Sequence, residues 1–263
     1  MRCLIAILLG AGLLGAQPDA RELVRQSIRN GERSWKESLS YNCIKEEIDR
    51  QLGPKGAVRS VDDDVYDVRP LGYGSFFELH IRHDNEPLSR AEKAKAQQEL
   101  AQRQAETPAQ KQRRMANLIA ERSYMKEVPD AFDFKITGEE NLPTGPAWVV
   151  DATPRPGYHA RSRYARMFPN MRGKLWIDKH DVQWVKADAV AMNTVSFGLF
   201  IARLSKGSHI VLEQQKLPDG DWVARRILAK ADARMFIFFN HNFEEDIRYT
   251  DYRRGSVAVA SAK

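Results

Sequence analysis

The residues able to do chemistry in this chain are spread thinly along it. His80 and His83 are three positions apart in a stretch that alternates like a β-strand, a spacing that sends them to opposite faces of a regular strand. No nearby carboxylate pair completes a zinc pattern, and His159, His180, His209 and His241 are dispersed, so these histidines read as solvated strand and turn residues and no metal site is expected. One of them combined with Asp178 or Glu213 and a serine would make a hydrolytic site. The chain has neither G-x-S-x-G nor H-E-x-x-H, so an uncharacterised hydrolase is retained only as an alternative and the chain is read as a non-enzyme. Cys3 falls in the N-terminal apolar run, which leaves Cys43 without an internal disulfide partner; Tyr41, Ile44 and Ile48 beside it place it buried in a strand. The basic run Lys111-Gln112-Arg113-Arg114 is surrounded by acids and glutamines, which favours a solvated helix over a nucleic-acid contact, with contact to anionic lipid headgroups a further possibility. No cofactor is expected.

The elements that position these residues follow from composition and pattern. With 263 residues, 43% of them hydrophobic, the chain can bury a real core, and a net charge of +6 from interleaved acids and bases is too mild to argue for nucleic acid. Residues 1–16, MRCLIAILLGAGLLGA, place one arginine before a short apolar run ending in Leu14-Gly15-Ala16, the plan of a secretory signal peptide cleaved after Ala16. Residues 17–263 then form a single domain expected in the periplasm. Residues 19–33 carry Leu23, Val24 and Ile28 at helical spacing behind a capping Asp19, and LSYNCIKEEIDRQLG reads as a strand leading to a Gly53-Pro54 turn.

Strands are expected near 64–69 and 75–82; in the second, Phe77, Leu79 and Ile81 share one face and Glu78, His80 and Arg82 the other. Ser89-Arg90-Ala91-Glu92 is a capping box that opens a solvated helix, and Met115, Leu118 and Ile119 give a second helix a narrow apolar stripe. Together they form a helical insertion over 89–128. From Ala147 the pattern predicts strands near 147–151, 161–167, 172–178, 182–190, 194–204, 208–217, 222–230, 234–240 and 246–253, with 194–204 also compatible with a short helix. MFIFF at 235–239 is apolar on both faces and needs cover on each side. The fold class is α+β: a large curved antiparallel β-sheet with an N-terminal helix and an inserted pair of helices placed as a lid. A sheet of that kind encloses either a packed core or a partly filled apolar cavity, and periodicity fits both.

The signal sequence, the helix followed by SYNCIKEE, MRGKLWIDKHDVQWVKADA at 171–189 and VLEQQKLPDGDWVARRI at 211–227 together resemble the LolA-like fold family, and within it the bacterial outer-membrane lipoprotein-sorting proteins. Gly173, Leu175, Trp176 and Asp178 match the family-like GKLWID strand, and Trp222 matches the aromatic after the later turn; these are fold positions first. The resemblance implies an open half-barrel whose concave apolar face is covered by a helical lid, and a periplasmic carrier or chaperone in which that face takes a lipid or the acyl chains of a lipoprotein, without cofactor or covalent catalysis. Its partners would be a lipid or an acylated protein, an outer-membrane acceptor or envelope partner, and transient membrane contact. An envelope stress-sensing or protein-interaction module is the alternative, because the insertion at 89–128 departs from the compact carriers. Phe77, Leu79, Ile81, Leu175, Ile177, Phe236 and Phe238 are the expected hydrophobic ligand-binding residues, on the expectation that these strands share one concave surface.

Overall fold

The computed structural model describes residues 17–197, 202–235 and 239–255. Helix α1 (Ala20–Ser38) starts where Asp19 accepts a hydrogen bond from the Glu22 amide at 2.8 Å, and it buries Leu23, Val24 and Ile28 along one face. The chain continues into β1 (Tyr41–Leu52), β2 (Val58–Gly72), β3 (Ser75–His83) and the short β4 (Glu86–Pro87). The insertion follows as α2 (Arg90–Gln104) and α3 (Pro108–Glu121), a 3-10 segment Arg122–Glu127 and a single turn, α4 (Val128–Ala131). Both expected features of α2 are present: the reciprocal Ser89–Glu92 capping box, and a mostly solvated surface that buries only Ala96 and Leu100.

Strands β5 (Phe132–Leu142) and β6 (Gly145–Pro154) come next, then a 3-10 segment Tyr164–Asn170, β7 (Met171–Asp178), β8 (Trp184–Ala191), β9 (Val195–Phe197), β10 (Ala202–Leu204), β11 (His209–Lys216), β12 (Trp222–Met235) and β13 (Phe239–Arg254). All pair antiparallel in one sheet of order β4-β3-β2-β1-β13-β12-β11-β8-β7-β6-β5, with the β9–β10 hairpin joined to β12. The end strands β4 and β5 are not paired to each other, so the sheet is an open half-barrel. Pairing of β1 with β13 ties the two ends of the domain together.

Four local readings change. The segment expected as a strand at 161–167 leads into the 3-10 segment Tyr164–Asn170, in which Pro169 withholds a ladder donor and Ala165 and Phe168, three apart, are both buried. Strand β5 is an element the sequence reading omits, although Phe132, Phe134 and Ile136 alternate with Asp133, Lys135 and Thr137. The expected strands at 222–230 and 234–240 belong to two longer strands whose register runs to Met235 opposite Phe239. Phe236 and Phe238 lie outside the described residues, and so does 198–201 within the stretch expected as one strand at 194–204, whose two flanks are β-strands. The fourth change is a β-bulge in β3. Val65 pairs with Arg82 and Tyr66 with His80, which leaves Ile81 as an extra residue. The bulge breaks the alternation that would have put Ile81 with Phe77 and Leu79, and Ile81 is 37% exposed.

Centrally, Asp246 on β13 is almost fully buried and receives two hydrogen bonds from Arg226 on β12, at 2.7 and 2.9 Å, and one from Arg248 at 2.7 Å. Burial alone would raise its carboxyl, but the two guanidiniums outweigh burial and hold it below the usual carboxylate range. A depressed folded value stabilises the protein above the unfolded carboxylate range and loses that contribution as pH falls. Asp246→Asn should therefore lower stability at pH 7 by about 3 kcal/mol in urea unfolding. The gap to the wild type should narrow as pH falls below about 4. A loss below about 1 kcal/mol at pH 7 would contradict this account.

Candidate functional site

Directly opposed residues on neighbouring antiparallel strands share a face of the sheet, so register identifies the surface under α1. One row runs Val150–Leu175–Ala187–Leu212 across β6, β7, β8 and β11, and the next runs Ala152–Gly173–Ala189–Ile210. Small residues occupy much of both rows. At Gly173 a Cβ would stand 2.9 Å from the Asp188 carbonyl oxygen, so the close approach of β7 to β8 itself favours glycine.

Above this floor lie Ser27 and Ile28 of α1, Tyr124, Met125 and Val128 from the end of the insertion, and Met167 and Phe168 from the second 3-10 segment. The roof and the small-residue floor leave a partly enclosed apolar cavity of about 230 Å³, which Trp184 and Leu175 also line. That exceeds the ~150 Å³ void known to accept a benzene ring. At Gly31 any Cβ would collide with the Trp184 indole, so this glycine lets α1 lie close against the wall.

The roof is held by Glu127, which is 4% exposed and accepts hydrogen bonds from the Tyr158 hydroxyl at 2.6 Å and the Arg161 amide at 2.8 Å. Burial would raise its carboxyl, yet hydrogen bonds from Ser162, Tyr158 and the Arg161 amide keep it below the usual range and ionised. Three of the polar groups at the cavity are committed elsewhere. The Ser27 hydroxyl donates to the Val24 carbonyl at 2.9 Å. Lys174 and Asp188 alternate with floor residues and so belong to the opposite face, where Lys174 lies 3.6 Å from Asp151 and Asp188 2.7 Å from His209. Asp178 accepts hydrogen bonds from the His180 and Asp181 amides and closes a turn. The lining of the cavity is mainly apolar. Cys43 is buried, and burial pushes its thiol up to about 12, which keeps it protonated.

The structure separates the expected ligand-binding residues. Leu175 lines the cavity. Ile177, fully buried, packs beside it with Val24, Ile28 and Val150 in the core under α1. Leu79 and Phe77 pack with Ala96 and Leu100 of α2. They lie on the other side of the sheet: Leu79 is opposite Asp67, whereas the neighbouring Tyr66 belongs to the surface that continues to Leu175. The expectation of one shared surface is corrected accordingly, and α2 and α3 cover β3 while residues 122–131 do the roofing. The residues the sequence reading missed are Ala152, Ala187 and Ala189, whose smallness makes the space.

No protein-family model and no curated protein matches the chain. Among solved structures it is similar to a LolA superfamily protein from Nitrosomonas europaea, at 10% identity and a TM-score of 0.34, over 90% of this chain and 94% of that one. A DUF1329 family protein from Desulfovibrio piger matches at 13% identity and a TM-score of 0.32, over 93% and 96%. A domain described as an outer membrane lipoprotein-sorting protein from Vibrio parahaemolyticus matches at 9% identity and a TM-score of 0.32, over 89% and 94%. The first and third bear the family names that the sequence resembles.

Core and cavity wall should respond differently to truncation. Ile177→Ala, in filled core, should cost about 3 kcal/mol in urea unfolding, whereas Leu175→Ala, beside space that already exists, should cost about 1–2 kcal/mol. Equal losses would place both in ordinary core.

Proposed function

We propose that this chain is a periplasmic carrier or chaperone that shelters a lipid, or the acyl chains of a lipoprotein, in the cavity under α1, without covalent chemistry. The observation that carries this reading is the apolar space roofed by Ile28, Tyr124, Met125 and Phe168 over a floor of glycine and alanines. Hydrocarbon entering it gains about 0.8 kcal/mol per buried methylene, so six methylenes supply about 5 kcal/mol before the cost of association. Residues 1–16 read as an export signal, and no described helix is long and apolar enough to cross a membrane. Among the described residues, Leu175 is the expected ligand-binding residue that lines this cavity. In this reading the segment 122–131, held through Glu127, serves as the lid.

Protein purified gently from the native envelope should retain hydrocarbon-bearing material visible by mass spectrometry, and a hydrophobic fluorescent probe should compete with it. Ala189→Phe, which fills the floor, should reduce both signals about tenfold while circular dichroism stays unchanged. Unaltered binding in this folded variant would remove the cavity from the function. Transfer of the retained lipid to acceptor vesicles or protein distinguishes a carrier; ligand-dependent binding to a partner without net transfer would instead identify a sensor.

A further inference from the structure

The bulge at Ile81 has a chemical result at the other end of the sheet. In a regular strand His80 and His83 would diverge; with one extra residue between them they fall on the same face, together with Asp64 of β2. His80 Nε2 lies 2.8 Å from Asp64 Oδ1, and His83 Nδ1 lies 2.9 Å from the same oxygen. We propose that Asp64, His80 and His83 form a binding site for a divalent transition-metal ion of the zinc type. The three donor atoms lie within 4.8 Å of one another.

Around tetrahedral zinc with bonds of about 2.0–2.1 Å, ligand atoms stand about 3.3 Å apart. The two imidazoles and the carboxylate need to spread by about 0.5 Å each to admit the ion, a shift available to side chains that are 27% (Asp64), 31% (His80) and 46% (His83) exposed. His80 Nε2 also lies 2.9 Å from the Arg82 carbonyl oxygen, and the metal bond would replace that contact. Water completes the coordination shell.

The surroundings orient the donors. The other nitrogen of His83, Nε2, lies 3.5 Å from Asp84 Oδ2, while Asp84 Oδ1 accepts the Asp63 amide at 3.0 Å. A carboxylate behind a ligating histidine fixes the ring and raises its basicity. Asp84 and Asn85 both have positive φ, 48° and 63°, the pattern of a tight type I′ hairpin turn, which holds Asp84 in place. The Tyr66 ring stacks on His80 with centroids 5.0 Å apart. Glu47 is directly opposite Asp64, and Glu245, Asp49 and Asp62 stand opposite one another in the next row, so the local field attracts cations. Two imidazoles select zinc, nickel or copper over calcium and magnesium, which prefer oxygen donors.

Chelator-treated protein titrated with zinc chloride in a calorimeter should bind one equivalent at this site, and cobalt chloride should give a visible absorption band. His80→Gln and His83→Gln should each weaken zinc binding at least about tenfold, whereas His180→Gln, altering a histidine in a distant turn, should not. In the wild type, zinc should perturb the imidazole NMR signals of His80 and His83 selectively, a readout that does not depend on any variant folding. Absence of zinc binding, unchanged affinity in both glutamine variants, or perturbation of other histidines instead would overturn the site. Probe binding in the hydrocarbon cavity should be the same in His83→Gln and wild type, which keeps this test separate from that of the carrier reading.

Discussion

Antiparallel register is the constraint from which the rest of this structure follows. The row through Val150, Leu175, Ala187 and Leu212 continues through Ile227 and Ile247 to Glu47, Asp64 and His83, each residue paired with the next. Opposed residues share a face, so this chain of pairings assigns one surface from β6 round to β3. A one-residue slip anywhere along it would exchange that surface for its reverse.

Along that single surface the chemistry changes from apolar to charged. At the β6–β8 end the row meets alanines and a glycine under α1, and the cavity results from a roof resting on large side chains above a floor of small ones. Toward β1 and β2 the same face bears Glu47, Asp49, Asp62 and Asp64, with Lys45 buried and paired to Glu47 at 2.6 Å and Glu78 at 3.0 Å. The carboxyls of Asp49 and Glu245 are raised, by burial first and by neighbouring acids second. Acids opposed in this way repel each other and oppose folding when ionised. A surface that keeps them suits cations or polar groups better than hydrocarbon, so the two ends of the half-barrel differ in chemistry.

The insertion divides in the same way. Its long helices α2 and α3 cover the reverse side of β3, where Leu79 and Phe77 find Ala96 and Leu100. Its last residues return to the α1 side, and Glu127 fastens them to the 158–161 loop through hydrogen bonds that compensate its burial. The same segment also packs onto the core, through Tyr124 and Val128 on one side and Met125 under α1 on the other, so polar and apolar contacts together hold the roof.

Much of this was legible in the chain. Asp19 and the Ser89–Glu92 box mark helix starts because capping is a local hydrogen-bond pattern, and alternation in β3 and β7 marks strands because side chains project with period two. The burial of Cys43 followed from its apolar neighbours. Pattern also gave one large curved antiparallel sheet with a leading helix and inserted helices, and the family resemblance implied its open half-barrel form. It did not give which side of the sheet each strand contributes to the cavity. Phe77 and Leu175 are both apolar strand residues, but only pairing across the intervening strands shows that they lie on opposite surfaces. The cavity was hidden for a related reason: Ala152, Gly173 and Ala189 are unremarkable along the sequence and become a floor only when placed side by side. The bulge at Ile81 is unmarked by glycine or proline, yet it reverses the relation between His80 and His83. Sequence determined the elements, since their periods and caps are set by neighbouring residues; tertiary structure decided which side chains meet, since register and bulges depend on hydrogen bonds between residues far apart in the chain.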